Sequence, residues 1–597
     1  MIDKGDSHSF LMAVANYVLS DAAVLEARHD TPEEMSERTS ELCESDKCNV
    51  VVAEECLRYI NSVFQFDAVR TASPYVPLGI AAVGKITQYS EARSACPSVK
   101  RGPILSISLE FGTTVAAKIR SRILYSFRVY AAIYGYTVAD ERQGAVRFVY
   151  GGLAHQDGAF YIPALYREGA APSGFTKHIV AGESFYLRFG IDQTSGRPDW
   201  LGELFLWLSS ELEAGIPERD DVGRIPFSAT VFSRQGLSPR KPYASLLMMW
   251  LEAERRGAPH KPLVAPPSPV ADCKHMVICS HDVDYHYTTR QSAFIRLIKN
   301  LGIAIRVYQS WPYFTENLRM LLQLLAGRRI GEYIPALIRA GEVGGFRSTL
   351  FVVSRRAHRR DPDYELEQIA PLLKLANEQG FSLGLHGSYR SVLQDKSLRQ
   401  ELQRLKDCTG CPVTSGRQHW LRFADVPGLF AEVEEARLIA DSSMGFSDMV
   451  GFRNGASFAF PPYDFAREAA HSFLEIPLVL MDGNIEAASR TLGIPAEDLV
   501  NEVLVASRST GWGGVAVLWH NPMEPLSVPS EINRLFWNSV KKKAQLAEKW
   551  MAVDDFFGMV LPRYRQAGLL KDVSIPADNE LRPGLGLPCE AKVVSAK

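Results

Sequence analysis

The sequence predicts an α/β protein in two parts, a mixed α+β first half and a second half built as a βα barrel or a layered α/β sheet. Two observations carry this. Pro259, Pro262, Pro266, Pro267 and Pro269 crowd into residues 255–269, which marks an extended linker. After that break, short apolar or β-branched runs alternate with helical stretches, the rhythm that a barrel or layered sheet requires.

In chain order, Ala53–Phe64 and Leu201–Leu212 have helical spacing, whereas Val146–Tyr150 and Phe185–Phe189 alternate as short strands. Beyond the linker seven strand-like runs follow: His275–Ser280, Ser348–Val353, Ser382–His386, Val413–His419, Leu438–Ser442, Phe473–Val479 and Val515–His520. Amphipathic helices lie between them, including Tyr364–Gln379 and Ser397–Asp407, the first introduced by the start signal Asp361-Pro362-Asp363. The division expected is 1–258 for the first domain, 259–270 for the linker, 271–565 for the second domain and 566–597 for a loosely packed tail. No internal repeat or low-complexity block interrupts this order.

Composition bounds the function. The chain has 597 residues, 46% hydrophobic and 22% charged, the profile of a globular protein with a sizeable core. A net charge of -2 provides no broad field for phosphate backbone or anionic membrane, so nucleic acid is not an expected partner. The first 30 residues lack a signal-peptide pattern and no run of about 18 apolar residues occurs, so no transmembrane segment is expected and the expected location is the cytoplasm. Nine cysteines without regular spacing argue for reduced thiols; Cys408-Thr409-Gly410-Cys411, followed by Pro412, is expected to be a plain turn. Oligomeric state is open.

Five of the seven runs end in groups able to do chemistry: Ser280-His281-Asp282-Val283-Asp284, His386-Gly387-Ser388, Arg417-Gln418-His419, Asp441-Ser442-Ser443 and Trp519-His520-Asn521. In a βα barrel the carboxyl ends of the strands converge on one face. Carboxylates and imidazoles gathered there suit a divalent metal ion of zinc type, and with it hydrolysis of an amide or ester.

These segments resemble the motifs of the NodB-homology polysaccharide deacetylases, over about residues 271–550. The resemblance implies a distorted (β/α)7 barrel with its site at the strand ends. His281-Asp282-Val283-Asp284 is similar to an HDVD variant of the first motif, which implies Asp282 as general base and Asp284 as metal ligand, the two being exchangeable. His386-Gly387-Ser388-Tyr389-Arg390 departs from the second motif, where a second histidine stands in place of Arg390. His419, in Gly416-Arg417-Gln418-His419-Trp420, is then the nearest candidate for the third ligand beside Asp284 and His386.

Arg417 matches the arginine that orients the catalytic carboxylate, and His520, in the segment similar to the fifth motif, matches the general acid. Tyr389, Arg390, Trp420, Arg453 and Trp519 are the substrate-binding candidates, with Arg453 able either to meet an anionic group or to brace Asp441. The first half is similar to the domain that precedes this HDVD subgroup, through Leu204–Glu213 and Asp220-Asp221-Val222-Gly223-Arg224, and the resemblance brings no chemistry for it. Glu211, Asp221 and Arg224 are expected on a solvated helix face and a turn, with packing or substrate gating as the other option.

The expected activity is metal-dependent removal of an acyl group, acetyl above all, from an N-acylated sugar or related metabolite. A nucleotide-linked or lipid-linked sugar or a small secondary metabolite suits a cytosolic enzyme better than an extracellular polymer. A degenerate barrel that binds a glycan or an assembly partner is the alternative, motivated by Arg390; an O-ester, formamide or cyclic amide substrate is a third.

Overall fold

The computed structural model describes residues 104–573 except 141, 153–157, 170–173, 181–182, 258–262, 285, 287–289, 307–310, 328–332, 521–530 and 544. The helix expected at Ala53–Phe64 and the tail beyond residue 573 lie outside these residues. The chain forms two compact units, one of which holds residues 104–293 and 327–573. Residues 294–326 belong to the other; there Ala304, Phe314 and Leu318 are buried together.

In the larger unit the first half is α+β. β1 (Ser106–Phe111), β2 (Thr137–Val138), β3 (Val146–Tyr150) and β4 (Phe160–Ile162) form a parallel sheet in the order β2-β1-β3-β4, and β5 (Thr176–Val180) and β6 (Glu183–Leu187) form a hairpin. The helix expected at Leu201–Leu212 runs from Trp200 to Leu208, then gives way to a 3-10 turn, Glu211–Glu213, because Ser210 takes a left-handed φ of 59° that breaks the α ladder. Asp199 anchors its start: Oδ1 accepts from Gly202 N at 2.8 Å, and Oδ2 from Tyr150 Oη, Leu165 N and Tyr166 N at 2.6–2.9 Å.

Glu203, one turn on, is fully buried; one oxygen accepts from Phe189 N at 2.7 Å and the other has no hydrogen-bond partner among the described residues. Burial pushes its carboxyl up to about 8. The folded state therefore holds a proton that the unfolded chain releases near pH 4.5, so this group costs stability progressively as pH rises from about 4.5 to about 8. Glu203→Gln is expected to raise the melting temperature at pH 8 and leave it nearly unchanged at pH 5, the gap growing by about 1.4 kcal/mol per pH unit between the two pKa values. Equal effects at both pH values would contradict this.

The second half is a seven-membered ring of parallel strand segments. β7 (His275–Asp282), β8 (Thr349–Val352), β9 (Ser382–Gly387), β10 (Val413–Gln418) and β11 (Ala440–Asp441) pair in chain order. A small hairpin, β12 (Tyr463–Asp464) and β13 (Ala469–Ala470), precedes β14 (Leu474–Glu475) and β15 (Leu478–Met481). β14 pairs with β11, while β15 pairs with β16 (Gly513–Leu518), which returns to β7.

β14 and β15 are the two edges of the sheet yet lie two residues apart in sequence, so one chain run closes the ring across Ile476-Pro477. Pro477 has no N–H to give a ladder, and its carbonyl still accepts from Ala516 N at 2.8 Å. The strands are buried on both faces, as apolar parallel strands must be when helices cover them.

All seven expected runs contain strand. The run at Phe473–Val479 is the one split by proline. A further strand, β17 (Glu548–Met551), which the sequence reading did not include, pairs with the first half of β7, where β8 does not reach. Its four residues, Glu-Lys-Trp-Met, are too short to show a period.

The helix expected at Tyr364–Gln379 spans Leu366–Glu378 with Glu365 at its N-cap; that at Ser397–Asp407 spans Leu398–Thr409 and ends on left-handed Gly410, so Cys408 and Thr409, expected in a plain turn, are the last residues of the helix and only Gly410 and Cys411 lie beyond it. Asp361 does not cap a helix, because its carboxylate is engaged elsewhere, as described below. Rings of the two halves meet in one core: Phe205 lies 4.9 Å from Tyr463 and 6.0 Å from Tyr125.

Candidate active site

Side chains alternate along a strand, so residues two apart share a side. That rule places the centre. At the end of β7, Asp282 and Asp284 face the ring interior, while Val283 joins the outer core and His281 turns to Phe536 and donates Nδ1–H to Trp519 O at 2.6 Å. Burial takes His281 down to about 4, which keeps it neutral. On β10 and just beyond, Arg417 and His419 share a side in the same way.

Arg417 is fully buried. Its Nη1 donates to Asp282 Oδ1 at 2.8 Å, its Nε and Nη2 donate to Ser442 O and Oγ at 3.0 and 3.1 Å, and its guanidinium lies 4.3 Å from the Phe351 ring. One oxygen of Asp282 is thereby fixed; the other lies 3.5 Å from His386 Nε2.

Asp284, His386 and His419 present ligand atoms that all lie within 4.8 Å of one another. Asp284 Oδ1 is 3.6 Å from His386 Nε2 and 3.7 Å from His419 Nε2, and is buried with no hydrogen-bond partner among the described residues. His386 Nδ1 donates to Arg417 O at 3.0 Å; a carbonyl only accepts, so in the neutral ring Nε2 bears the lone pair. His419 Nδ1 donates to Asp361 Oδ1 at 3.1 Å. Two imidazole nitrogens and one orphaned carboxylate oxygen thus converge, a donor set that fits a divalent ion of zinc type.

Electrostatics agree with the geometry. Burial raises the Asp284 carboxyl, but the imidazoles of His419, His520 and His386 outweigh it and hold the group ionised. Burial lowers His419 and is outweighed by Asp284 and Asp361, which take it up to about 9 without an ion beside it. A second acid and histidine group, Glu434, Asp464 and His471, differs in kind: Arg467 is paired with both carboxylates and already supplies the positive charge.

Across the centre His520 Nε2 lies 3.6 Å from Asp284 Oδ2. Its Nδ1 is 2.7 Å from Asp482 Oδ1 and its backbone N donates to Asp482 Oδ2 at 2.9 Å. Burial lowers the imidazole, but Asp482 outweighs it and lifts it to about 10.

Two supporting carboxylates, Asp482 and Asp361, stand outside the site residues expected from sequence. Asp482 directly follows β15; had the run ending at Val479 been carried on to Met481, Asp482 would have stood out as another polar strand end. Asp361 accepts from Ala357 N and His358 N at 2.9 and 2.7 Å and from Tyr389 N at 2.7 Å, besides His419, and nothing in its local pattern signals this. Asp361→Asn is expected to weaken zinc affinity about tenfold or more, measured by competition with a chromophoric chelator, because it loosens the orientation of His419.

Of the substrate-binding candidates, Tyr389 stacks on His358 at 4.5 Å, and Trp420 is 42% exposed beside His419. Arg390 is partly exposed, with Nη2 3.4 Å from Asp395. The other two stand elsewhere. Trp519 is buried against Phe536, because residue 519 faces away from the side shared by 518 and 520. Arg453 makes a bidentate pair with Glu213 at 2.7 Å and donates to Gly445 O, so it braces the first half and does not touch Asp441.

The loop at Asp220–Arg224 also reaches the site. Arg224 donates to Trp420 O at 3.1 Å, and Arg422 donates to Val222 O at 2.7 Å. Arg224, expected on a solvated face or turn, is half-buried in this contact.

No family model and no curated protein matches the sequence. Solved structures do. A peptidoglycan deacetylase from Bacillus subtilis aligns at 9% identity over 49% of this chain and 95% of its own, with a TM-score of 0.26. A polysaccharide deacetylase from Bacillus cereus aligns at 11% identity over 38% and 87%, TM-score 0.23, and a family 4 acetyl xylan esterase from Clostridium thermocellum, in complex with a cobalt ion, at 12% over 48% and 91%, TM-score 0.21. Among the described residues no helix is long and apolar enough to cross a membrane.

Proposed function

We propose that this protein is a metal-dependent hydrolase that removes an acyl group, acetyl above all, from an N-acylated sugar or related metabolite. The observation that carries the reading is the convergence of Asp284, His386 and His419 between an arginine-held carboxylate and an aspartate-held imidazole. A zinc-type ion bound by those three residues supplies Lewis acidity toward an acyl carbonyl.

The chain's own groups do the proton work. Asp282, oriented by Arg417, accepts a proton from the attacking water at Oδ2. His520, held protonated by Asp482, donates from Nε2 to the leaving nitrogen. His419 supplies the ligand that the second motif lacks at Arg390. A cytoplasmic setting is part of the proposal and accords with free thiols at Cys273, Cys279, Cys408 and Cys411.

The test is an acyl-release assay on the full chain with a panel of N-acyl amino sugars and small N-acyl metabolites, with and without a chelator. Release that stops with chelator and returns with zinc or cobalt is expected. Release that is indifferent to chelator would refute the metal reading, and none from any compound, by metal-loaded protein, would favour a binding barrel.

A further inference from the structure

The connection from β8 to the next helix carries Arg355-Arg356-Ala357-His358-Arg359-Arg360, four guanidinium groups within six residues of a chain whose net charge is only -2. The loop is wound around Asp361: Ala357 N and His358 N donate to one carboxylate oxygen, and the other receives His419 Nδ1–H. The backbone of the loop is thus tied through one carboxylate to His419.

The loop's charge is poorly balanced. Arg360 donates to Tyr389 Oη at 2.7 Å and lies 5.2 Å from the centre of the Trp420 ring. Arg355 and Arg390 share one carboxylate, Asp395, at 3.8 and 3.4 Å, and Arg390 Nε is buried with no hydrogen-bond partner among the described residues. Arg356 and Arg359 are exposed and form no ion pair among the described residues. Asp361 is already committed to His419 and three backbone N–H groups, Asp395 is divided between Arg355 and Arg390, and the charges of Arg356 and Arg359 are matched by no ion pair among the described residues.

Trp420 stands between this loop and the cluster, its ring 6.2 Å from that of His419. Trp420 and Leu421 both take left-handed φ values, 65° and 51°, a strained pair that turns the indole outward and is held by Arg224 at the Trp420 carbonyl. An aromatic face beside the reacting centre, with Arg360 over it and an arginine-rich loop beyond, describes a site for a ring that bears an anion on its far side.

We propose that the 355–360 loop, with Arg390, is a subsite for the phosphoryl or pyrophosphoryl group of a phosphorylated sugar, whose acyl group lies at Asp284, His386 and His419. This rests on the deacylation reading and narrows its substrate. Phosphate is favoured over carboxylate by number: a carboxylate offers two oxygens and one charge, whereas a pyrophosphate can take bidentate forks from several arginines at once.

The test is calorimetric titration of the full chain with inorganic pyrophosphate at low ionic strength, with EDTA present so that the readout reports on the loop and not on a bound ion. The parent is expected to bind, and the double variant Arg356→Gln/Arg359→Gln to bind about tenfold more weakly or less. The double variant Lys541→Gln/Lys542→Gln, which removes the same charge from another exposed surface, is expected to match the parent. Parallel titrations with UDP and with vesicles containing phosphatidic acid assign the phosphoryl group to a nucleotide or a lipid carrier according to which binds more tightly. No binding by the parent up to millimolar pyrophosphate, an unchanged arginine variant, or an equal loss in the lysine variant would overturn the subsite. Binding requires no turnover, so failure of the deacylation assay leaves this result readable on its own.

Discussion

Asp282→Asn is expected to lower acyl release about a thousandfold, the usual scale for losing a positioned general base. The substitution keeps the side chain's shape, and Arg417 can still donate to the remaining oxygen, so the fold and the metal content should persist. What goes is the carboxylate oxygen near His386 Nε2 that can take a proton. His520→Ala should show a different signature. Its deficit should be large for an amide, whose nitrogen must be protonated to leave, and small for an aryl ester, whose phenolate leaves unaided. Turnover of Asp282→Asn within tenfold of the parent at full metal content would remove the base assignment. Equal deficits of His520→Ala on amide and aryl ester would remove the acid.

His419→Ala is expected to leave the purified protein with less than about a tenth of the parent's metal, because loss of one of three ligands costs more than the tenfold to hundredfold loss typical of an outer partner. Elemental analysis after dialysis measures it, with His386→Ala as the matching case. The outcome decides how this chain tolerates Arg390. If His419 completes the donor set, the second-motif histidine is dispensable. Parent-like metal in His419→Ala would mean that Asp284 and His386 hold the ion with some other group, and the proposed centre would need a different third ligand.

Much of the barrel was legible in the sequence because parallel strands buried on both faces must be short apolar runs, and the runs from His275 to His520 stand out against polar helices and turns. Strand β17 was not, since four residues carry no period. Within the centre, Asp282, Asp284, His386, Arg417, His419 and His520 were all legible as polar groups at strand ends. Their partners divided. Asp482 also stands at a strand end and was missed only because the run before it was cut short at Val479. Asp361 was mistaken for a helix start, since an Asp-Pro-Asp motif reads the same whether its carboxylate caps a helix or reaches across to another strand's histidine.

Trp519 and Arg453 show the same limit from the other side. Each is a residue type that binds sugars or anions, and each stands in a suggestive segment. Trp519 turned into the core because its neighbour His520 took the site-facing position, and Arg453 found Glu213, which lies 240 residues away. Local pattern states what a residue can do, whereas a partner decides what it does.

By itself, then, the sequence determined the order and kind of the strands, the set of chemically able residues at their ends and the local excess of arginine at 355–360. These follow from burial and periodicity, which act over a few residues. Only the tertiary structure decided that β14 and β15 close the ring, that two histidines from neighbouring strands point their Nε2 atoms at one carboxylate, and that the first half holds Trp420 and Arg453. Those outcomes depend on contacts between segments up to hundreds of residues apart, and the free energy of such contacts is written in no single stretch of chain.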